Sequence, residues 1–281
     1  MVLSHLVELS ETQTIYRSSI QDVTNTSYHR HFIELVEDPD VFSGSQDGAF
    51  NVSADGFYFG STTSDNSISQ LRTVSTSPDV SFDLTFDLSA SILFNGGLGG
   101  LFQWGGSQTA EWAMTSGYTS GSIIRDGQSI EFDPERSFTW YDRQWLYGDA
   151  SALNWTWFQL HTDSSRDGPG EKYSIWIYGG DVDQHQFATF HSSKRVDTVL
   201  AVKSFEPFGE PWQSSVTNNT YEQHWKLILQ DDTMLTIDSI HGDQEIFSGT
   251  AGAYEGFVEF HGFDSLNRTI EGFGLVEITP V

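Results

Sequence analysis

The sequence contains no cysteine and few basic residues. The lack of cysteine excludes disulfide bonds and thiolate catalysis. Thirteen Lys and Arg residues stand against 39 Asp and Glu, which gives a formal charge of −26. Because such a surface repels phosphate backbones and anionic lipid, we expect no nucleic-acid partner and no membrane-surface role. No apolar run approaches the ~18–20 residues that a membrane helix requires, so membrane insertion is not expected either.

Several catalytic signatures are also absent. The nine histidines form neither an HExxH nor an HxxxH pair, and this scatter predicts no metal site. No G-x-S-x-G turn is present for a serine nucleophile. The glycine-rich stretch NGGLGG, residues 95–100, lacks the following helix and lysine of a phosphate-binding loop. The sequence therefore predicts chemistry without a metal and without a cofactor.

The dominant pattern that is present is an alternation of apolar and polar residues. Residues 80–94 read VSFDLTFDLSASILF, in which Phe82, Leu84, Phe86 and Leu88 alternate with polar neighbours. This period of two is typical of a half-buried strand. Similar segments recur every 8–15 residues, separated by glycine-rich turns, and 26 glycines with 14% aromatic residues fit the same pattern. An antiparallel sandwich or barrel is therefore predicted.

The aromatic density changes along the chain. Residues 116–133 read as short strands and turns, with a boundary near residues 121–133, and a segment richer in aromatic residues follows. We therefore predict an all-β protein of two packed antiparallel modules, an N-terminal one at 1–125 and a C-terminal one at 126–281. The least periodic region is residues 1–46, where polar residues dominate.

Glycosylation sequons N-x-S/T suggest export. Five of the eight asparagines begin one, whereas chance would give roughly two. We predict a secreted or secretory-pathway glycoprotein, with a cytoplasmic location as the alternative. Exposed edge strands would also make a homodimer reasonable. The predicted glycosylation sites are Asn25, Asn51, Asn154, Asn218 and Asn267.

One segment, RSFTWYDRQW at residues 136–145, mixes aromatic bulk with ionisable groups on both predicted strand faces. Buried ionic groups must be paired or functional. Asp142 inside an aromatic wall would have a raised pKa and could donate a proton. The alternative is a structural pair of Asp142 with Arg143 that joins two strands.

A glycan-binding or glycan-cleaving sandwich is a second hypothesis. Nine tryptophans and many acidic residues suit such a role. Glu255 and Glu259 alternate onto one strand face and could flank a glycosidic bond. The alternative for this pair is solvent-facing charge.

The segments SFTWYDRQW, WTWFQLHT, KYSIWIY, HWKLIL, YEGFVEFHG and IEGFGLVEI occur in an order that resembles one family. This is the lipocalin-like family of carotenoid 1,2-hydratases (hydroxyneurosporene synthases), which also takes in kievitone hydratase and the fungal Diels–Alderases and hetero-Diels–Alderases. Upstream, EWAMTSGYTSGSI resembles the end of the family's first module. The resemblance implies two lipocalin- or calycin-like β modules with a cavity near their junction.

The resemblance also implies a hydrophobic terpenoid- or polyketide-like substrate. The first expectation is a Diels–Alder or hetero-Diels–Alder cycloaddition linked to dehydration. The alternatives are a hydratase or dehydratase acting on an isoprenoid or phenolic double bond, and a carrier without catalysis. Such chemistry requires an apolar cavity that preorganises the substrate, together with a few hydrogen-bond donors.

The expected site residues fall into two sets. The proton and hydrogen-bond donors are Asp142, Arg143, Tyr118 and His191. The expected substrate contacts are the aromatic residues Trp104, Trp112, Trp140, Trp157, Phe138, Tyr141 and Tyr254.

Overall fold

A computed structural model describes residues 1–10, 13–36, 51–65, 67–88, 91–147, 154–162, 170–179, 184–192, 196–249 and 251–279. These residues form 23 β-strands and a single 3-10 turn at Leu98–Gly100, and the described ranges contain no α-helix. The all-β prediction is therefore confirmed. No helix in the described part of the chain is long and apolar enough to cross a membrane.

The strands are numbered along the chain. They are β1 (Val2–Ser10), β2 (Gln13–Gln21), β3 (His29–Val36), β4 (Asn51–Ala54), β5 (Phe57–Ser61), β6 (Gln70–Thr76), β7 (Ser81–Leu88), β8 (Ile92–Phe94), β9 (Leu101–Trp104), β10 (Ser107–Arg125), β11 (Gln128–Glu131), β12 (Phe138–Tyr147), β13 (Trp155–Thr162), β14 (Lys172–Tyr178), β15 (His185–His191), β16 (Asp197–Pro207), β17 (Trp212–Gln213), β18 (Thr220–Tyr221), β19 (His224–Leu229), β20 (Met234–Ser239), β21 (Glu245–Ser248), β22 (Ala251–Phe263) and β23 (Thr269–Thr279).

The chain divides into two compact units that are interleaved in sequence. The first unit holds Met1–Ser91, Met114–Tyr141 and Ile246–Ala251. The second unit holds Ile92–Ala113, Asp142–Glu245 and Gly252–Val281. Strands β10 and β12 each contribute residues to both units, so the units do not coincide with the predicted division at residue 125.

The first unit contains a three-stranded sheet and a meander. Strands β1, β2 and β3 pair in order, and β4 to β7 pair in order and continue onto the C-terminal half of β10. Phe82, Leu84, Phe86 and Leu88 are all buried, as the alternation of β7 predicts. Although residues 1–46 have the weakest pattern, they supply β1 to β3. Hydrophobicity does not alternate along β2, because Thr14 and Ser18 share a buried face with Tyr16 and Ile20. Ser19 and Gln21 are buried on the other face.

The second unit contains a closed antiparallel barrel of eight strands. The order is β13, β14, β15, β16, β19, β20, β22 and β23, and β23 pairs back with β13. The interior is filled by apolar side chains, among them Phe158, Ile175, Leu227 and Val276, which are almost completely buried. The interior of the barrel is therefore a packed core rather than an open ligand cavity.

The outer face of the barrel is covered along β13, β14 and β15 by residues from Ile92–Ala113. Phe102 and Trp104 of β9 contact Trp176, and Phe102 also contacts Phe187. As a consequence, all seven residues of β14 are buried. This covered outer face carries buried polar groups, among them Lys172 and Ser174.

The seam between β20 and β22 closes the barrel and depends on a close backbone approach. A Cβ atom at Gly262 would lie 1.8 Å from the carbonyl oxygen of Met234. We expect Gly262→Ala to lower the free energy of unfolding by about 2 kcal/mol or more, because a paired backbone oxygen cannot move without disrupting the seam. Chemical denaturation checks this value.

The matched control is Gly106→Ala in the same unit, where an added Cβ would meet nothing within 4 Å. Its unfolding midpoint should stay close to that of the wild type. Equal midpoints for Gly106→Ala and Gly262→Ala would contradict the importance of the seam.

Candidate active site

A row of four directly paired residues crosses the outer face of the barrel. Glu255 of β22 pairs with Glu277 of β23, Glu277 pairs with Trp157 of β13, and Trp157 pairs with Trp176 of β14. Directly paired residues point to the same side of a sheet. Glu255 and Glu277 are only 1% and 7% exposed. The row therefore places two buried carboxyl groups beside two buried indoles.

A third buried carboxyl, that of Glu111 on β10, is held by a glycine turn at residues 95–100. Residues Gly96 to Gly100 all have positive φ, a conformation that glycine adopts at low cost. The backbone N–H of Asn95 donates to the Glu111 carbonyl oxygen (3.2 Å), and a Cβ at Gly100 would lie 2.1 Å from that oxygen. The backbone N–H of Gly96 donates to Thr189 Oγ1 of the barrel (3.0 Å). The turn thus connects Glu111 to the outer face of the barrel.

The Glu111 carboxyl is strongly perturbed. Burial raises its pKa well above the usual value, and the nearby charges of Asp142 and Glu277 raise it further. The indole of Trp176 opposes this shift, but its effect is smaller. Both effects shift the Glu111 carboxyl toward its protonated form, the form in which a carboxyl group can donate a proton. Glu111, Asp142 and Glu277 are called the carboxyl cluster below.

Aromatic rings surround this end of the barrel face. Trp157 stacks on Trp176 at 5.5 Å, and Trp104 stacks on Tyr178 at 4.9 Å. Trp104 also meets the Trp176 ring edge-on at 5.2 Å. Such ring faces lower the energy of a positively charged intermediate. These four residues are called the aromatic wall.

Several polar atoms near the cluster have no partner among the described residues. The indole N–H groups of Trp104 and Trp155 are buried without a hydrogen bond. The side chain of Asn95 is fully buried, and neither its oxygen nor its nitrogen is bonded. Because buried polar groups are normally satisfied, these atoms suggest a site whose hydrogen bonds are completed by water or a ligand.

Comparison with known proteins identifies the family. The AttH-like family model matches residues 9–280. The chain belongs to the AttH-like family. It is 35% identical over 283 residues to kievitone hydratase of Fusarium solani subsp. phaseoli, with 99% of this chain and 77% of that protein covered. It is 31% identical over 288 residues to dehydratase asqC of Emericella nidulans, with 99% and 79% covered.

A crystal structure gives the same result. Kievitone hydratase from Nectria haematococca aligns with a TM-score of 0.87 and 32% identity, covering 99% of this chain and 83% of that one. The predicted resemblance to the kievitone hydratase group is therefore confirmed. Since these AttH-like relatives are enzymes, this chain is also an enzyme, as the sequence analysis expects.

The structure places three of the residues predicted from the sequence in the carboxyl cluster or the aromatic wall. Asp142 contributes to the carboxyl cluster, and Trp104 and Trp157 belong to the aromatic wall. Arg143 instead lies over the ring of Trp145, with 5.2 Å between its guanidinium carbon and the ring centroid. His191 lies further along the barrel face, where its Nδ1 pairs with Asp197 Oδ1 (2.5 Å).

The other predicted residues are not among the members of the carboxyl cluster and the aromatic wall. Tyr118 is 61% exposed. The first unit contains Tyr118, Phe138, Trp140 and Tyr141. Trp112 lies in the second unit, and its ring centroid is 6.1 Å from that of Trp145. Tyr254 packs in the core of the barrel. Their roles in a site stay predictions.

The predicted glycosylation sites differ in exposure. Asn25, Asn218 and Asn267 are exposed, and Asn154 is half-buried. The side chain of Asn51 lies outside the described residues. Glycosylation, export and a homodimer stay predictions.

Sequence reasoning missed Glu111, Glu277, Trp176 and Asn95 as site residues. Glu111 stands directly before Trp112 in a segment whose alternation is visible, and alternation places Thr109, Glu111 and Ala113 on one face. A carboxyl on the apolar side of a strand is an available signal, since charge there must be paired or functional.

The unsatisfied amide of Asn95 gives a stability prediction. We expect Asn95→Leu, of similar size, to raise the free energy of unfolding by about 1–3 kcal/mol, because two buried polar atoms without partners are removed. Urea denaturation measures the change. Asn95→Asp provides the opposite case, since a buried charge should lower stability. A less stable Asn95→Leu would show that the amide already has the partners it needs.

Proposed function

We propose that this AttH-like protein adds or removes water at a carbon–carbon double bond of a hydrophobic, conjugated small molecule. The observation that carries the proposal is the Glu111 carboxyl, which is buried near two other carboxyl groups and the indole of Trp176, so that its pKa is raised. The names of the two relatives, a hydratase and a dehydratase, support the same reaction class.

In the dehydration direction, Glu111 donates its proton to the hydroxyl oxygen of the substrate. The C–O bond then breaks, and water leaves with the bonding electrons. The aromatic wall lowers the energy of the positive charge that develops on carbon. Asp142 or Glu277, as a carboxylate, removes the proton from the adjacent carbon, so that the double bond forms.

Hydration follows the same steps in reverse. Asp142 or Glu277, in its acid form, returns the proton to a carbon of the double bond, and Glu111, as a carboxylate, takes a proton from the water that adds to the resulting cation. Two groups that differ in protonation state at one pH are required for either direction. Burial and like charge within the carboxyl cluster would maintain that difference.

The cycloaddition that the sequence analysis expects first stays a prediction. Loss of water from a polyene alcohol would generate a diene, and a preorganised cavity could assist its ring closure. A carrier without catalysis would bind the same ligands but leave the rate of product formation unchanged. A glycan-binding protein would give hits on a glycan array and would not bind an apolar fluorescent probe.

Glu111→Gln tests the proposal. Incubation with a panel of polyene alcohols and alkenyl phenols in heavy-oxygen water should give label incorporation or loss of water with the wild type. Glu111→Gln should reduce that rate by about 100-fold or more, because the amide cannot donate a proton as an acid. Mass spectrometry measures the label, and tryptophan fluorescence measures substrate binding, which should persist.

The control is Glu271→Gln, an exposed carboxyl on β23, the strand that carries Glu277. It should leave the rate unchanged. Unlabelled product of unchanged mass would favour a pure cyclase. A Glu111→Gln protein with full hydration or dehydration activity would remove Glu111 from the reaction.

The pH profile gives an independent prediction. Activity should fall as pH rises through the pKa of Glu111, because the acid must be protonated. The negative charge of Asp142 raises that pKa, so Asp142→Asn should lower it and move the alkaline limb to lower pH. Rates measured across pH for wild type, Asp142→Asn and Glu271→Gln check the shift. A limb that stays in place, or moves to higher pH, would contradict the proposed coupling.

A further inference from the structure

A second polar row crosses the same barrel face, four residues further along β13 and β14. His161 of β13 pairs with Lys172 of β14, Lys172 pairs with His191 of β15, and His191 pairs with Asp197 of β16. Four residues of strand correspond to roughly 13 Å, so this row lies at the opposite end of the face from Trp157 and Trp176. The face is therefore polar at both ends.

Lys172 is the unusual member of this row. It is only 8% exposed, and among the described residues no carboxylate pairs with it and no hydrogen bond reaches its ammonium group. Asp197, the nearest carboxylate along the row, binds His191 through Oδ1 and the backbone N–H of Phe94 through Oδ2. In a chain of net charge −26, a buried cation without a carboxylate is a costly arrangement.

The neighbours of Lys172 do not neutralise it. The ring of His161 stacks on Phe273 at 5.8 Å, and the Gln159 amide nitrogen lies 2.9 Å from His161 Nε2. Burial, together with the charge of Lys172, lowers the pKa of His161 well below its usual value, so its ring is neutral. Burial lowers the pKa of Lys172 to about 8, so at neutral pH it remains mainly an ammonium ion.

We propose that Lys172, with His161 beside it, forms a subsite for an anionic oxygen of the substrate, either an enolate or a phenolate. The subsite rests on the proposed function, because it assigns the other end of the same ligand. A delocalised oxyanion supplies the counter-charge that Lys172 lacks, and an N⁺–H···O⁻ hydrogen bond is a strong one. Ser174 and Thr189, both buried, lie between the two rows.

The subsite has a consequence for the reaction. When a carbonyl is conjugated with the reacting carbons, the proton is removed before the C–O bond breaks, and no cation forms. A carboxylate of the cluster takes the proton, and the electron pair moves through the double bonds to the carbonyl oxygen. Lys172 stabilises that oxyanion. The pair then returns as the C–O bond breaks, with the Glu111 proton leaving in water. Each proton and electron pair is accounted for by the substrate, the cluster and Glu111.

Binding of 4-nitrophenol tests the subsite without turnover. The phenolate and the phenol have different absorption spectra, so a titration reports both affinity and ionisation. The wild type should bind the phenolate and lower the apparent pKa of the bound phenol. Lys172→Met should weaken phenolate binding by about tenfold or more, the loss expected of a buried charge-assisted hydrogen bond. Lys172→Arg, which keeps the charge, should retain part of the affinity.

Lys203→Met is the matched control, because Lys203 is exposed on β16 and pairs with Asp232 (2.5 Å). It should bind the phenolate like the wild type. Far-UV circular dichroism establishes that each variant is folded. If Lys172→Met does not fold, the wild type alone can test the subsite with 4-nitroanisole, a neutral analogue of the phenolate. The wild type should bind 4-nitroanisole at least about tenfold more weakly than the phenolate.

Three results would overturn the subsite: equal phenolate affinity in Lys172→Met and the wild type, no phenolate binding by the wild type, or equal losses in Lys172→Met and Lys203→Met. Glu111→Gln separates this inference from the proposed function. It should bind the phenolate normally while losing turnover. Failure of the subsite would thus leave the water chemistry intact, and failure of the water chemistry would leave the phenolate titration intact.

Discussion

The burial of strand β14 on both of its faces is the constraint on which the second unit depends. Every residue from Lys172 to Tyr178 is buried. Tyr173, Ile175 and Ile177 fill the barrel, and Lys172, Ser174, Trp176 and Tyr178 face outward beneath other parts of the unit. Most antiparallel strands face water on one side, where polar residues cost nothing. Here the outward residues are polar or amphipathic, but they are shielded from water.

This loss of solvent produces the electrostatics of the site. The same desolvation acts on groups of opposite sign at the two ends of the face. It raises the pKa of the Glu111 carboxyl and lowers that of the Lys172 ammonium. Both shifts favour the neutral form, as burial does in general. The barrel core provides the apolar burial that offsets the cost, so stability and reactivity come from opposite faces of the same strands.

The strands of the barrel could be predicted closely because their interior face is apolar. WTWFQLHT and HWKLIL coincide with β13 and β19, and KYSIWIY coincides with β14. By contrast, β2 buries Thr14 and Ser18 on one face and Ser19 on the other, so hydrophobic alternation could not reveal that strand. Residues 116–133 were expected to form short strands, but β10 continues unbroken to Arg125. Gly117 and Gly121 lie within this strand because β7 approaches closely there.

The site was harder to predict than the strands because it depends on tertiary cover. Alternation places Trp157 and Glu277 on one side of their strands, but it cannot show that Ile92–Ala113 covers that side. The glycine turn supplies the link. Gly100 leaves room for the Glu111 carbonyl oxygen, and Asn95 and Gly96 donate to Glu111 and to the barrel. A larger residue at position 100 would displace the backbone that buries the acid. The turn that appears in the sequence as a simple break between strands therefore contributes to the burial of Glu111 and so to its raised pKa.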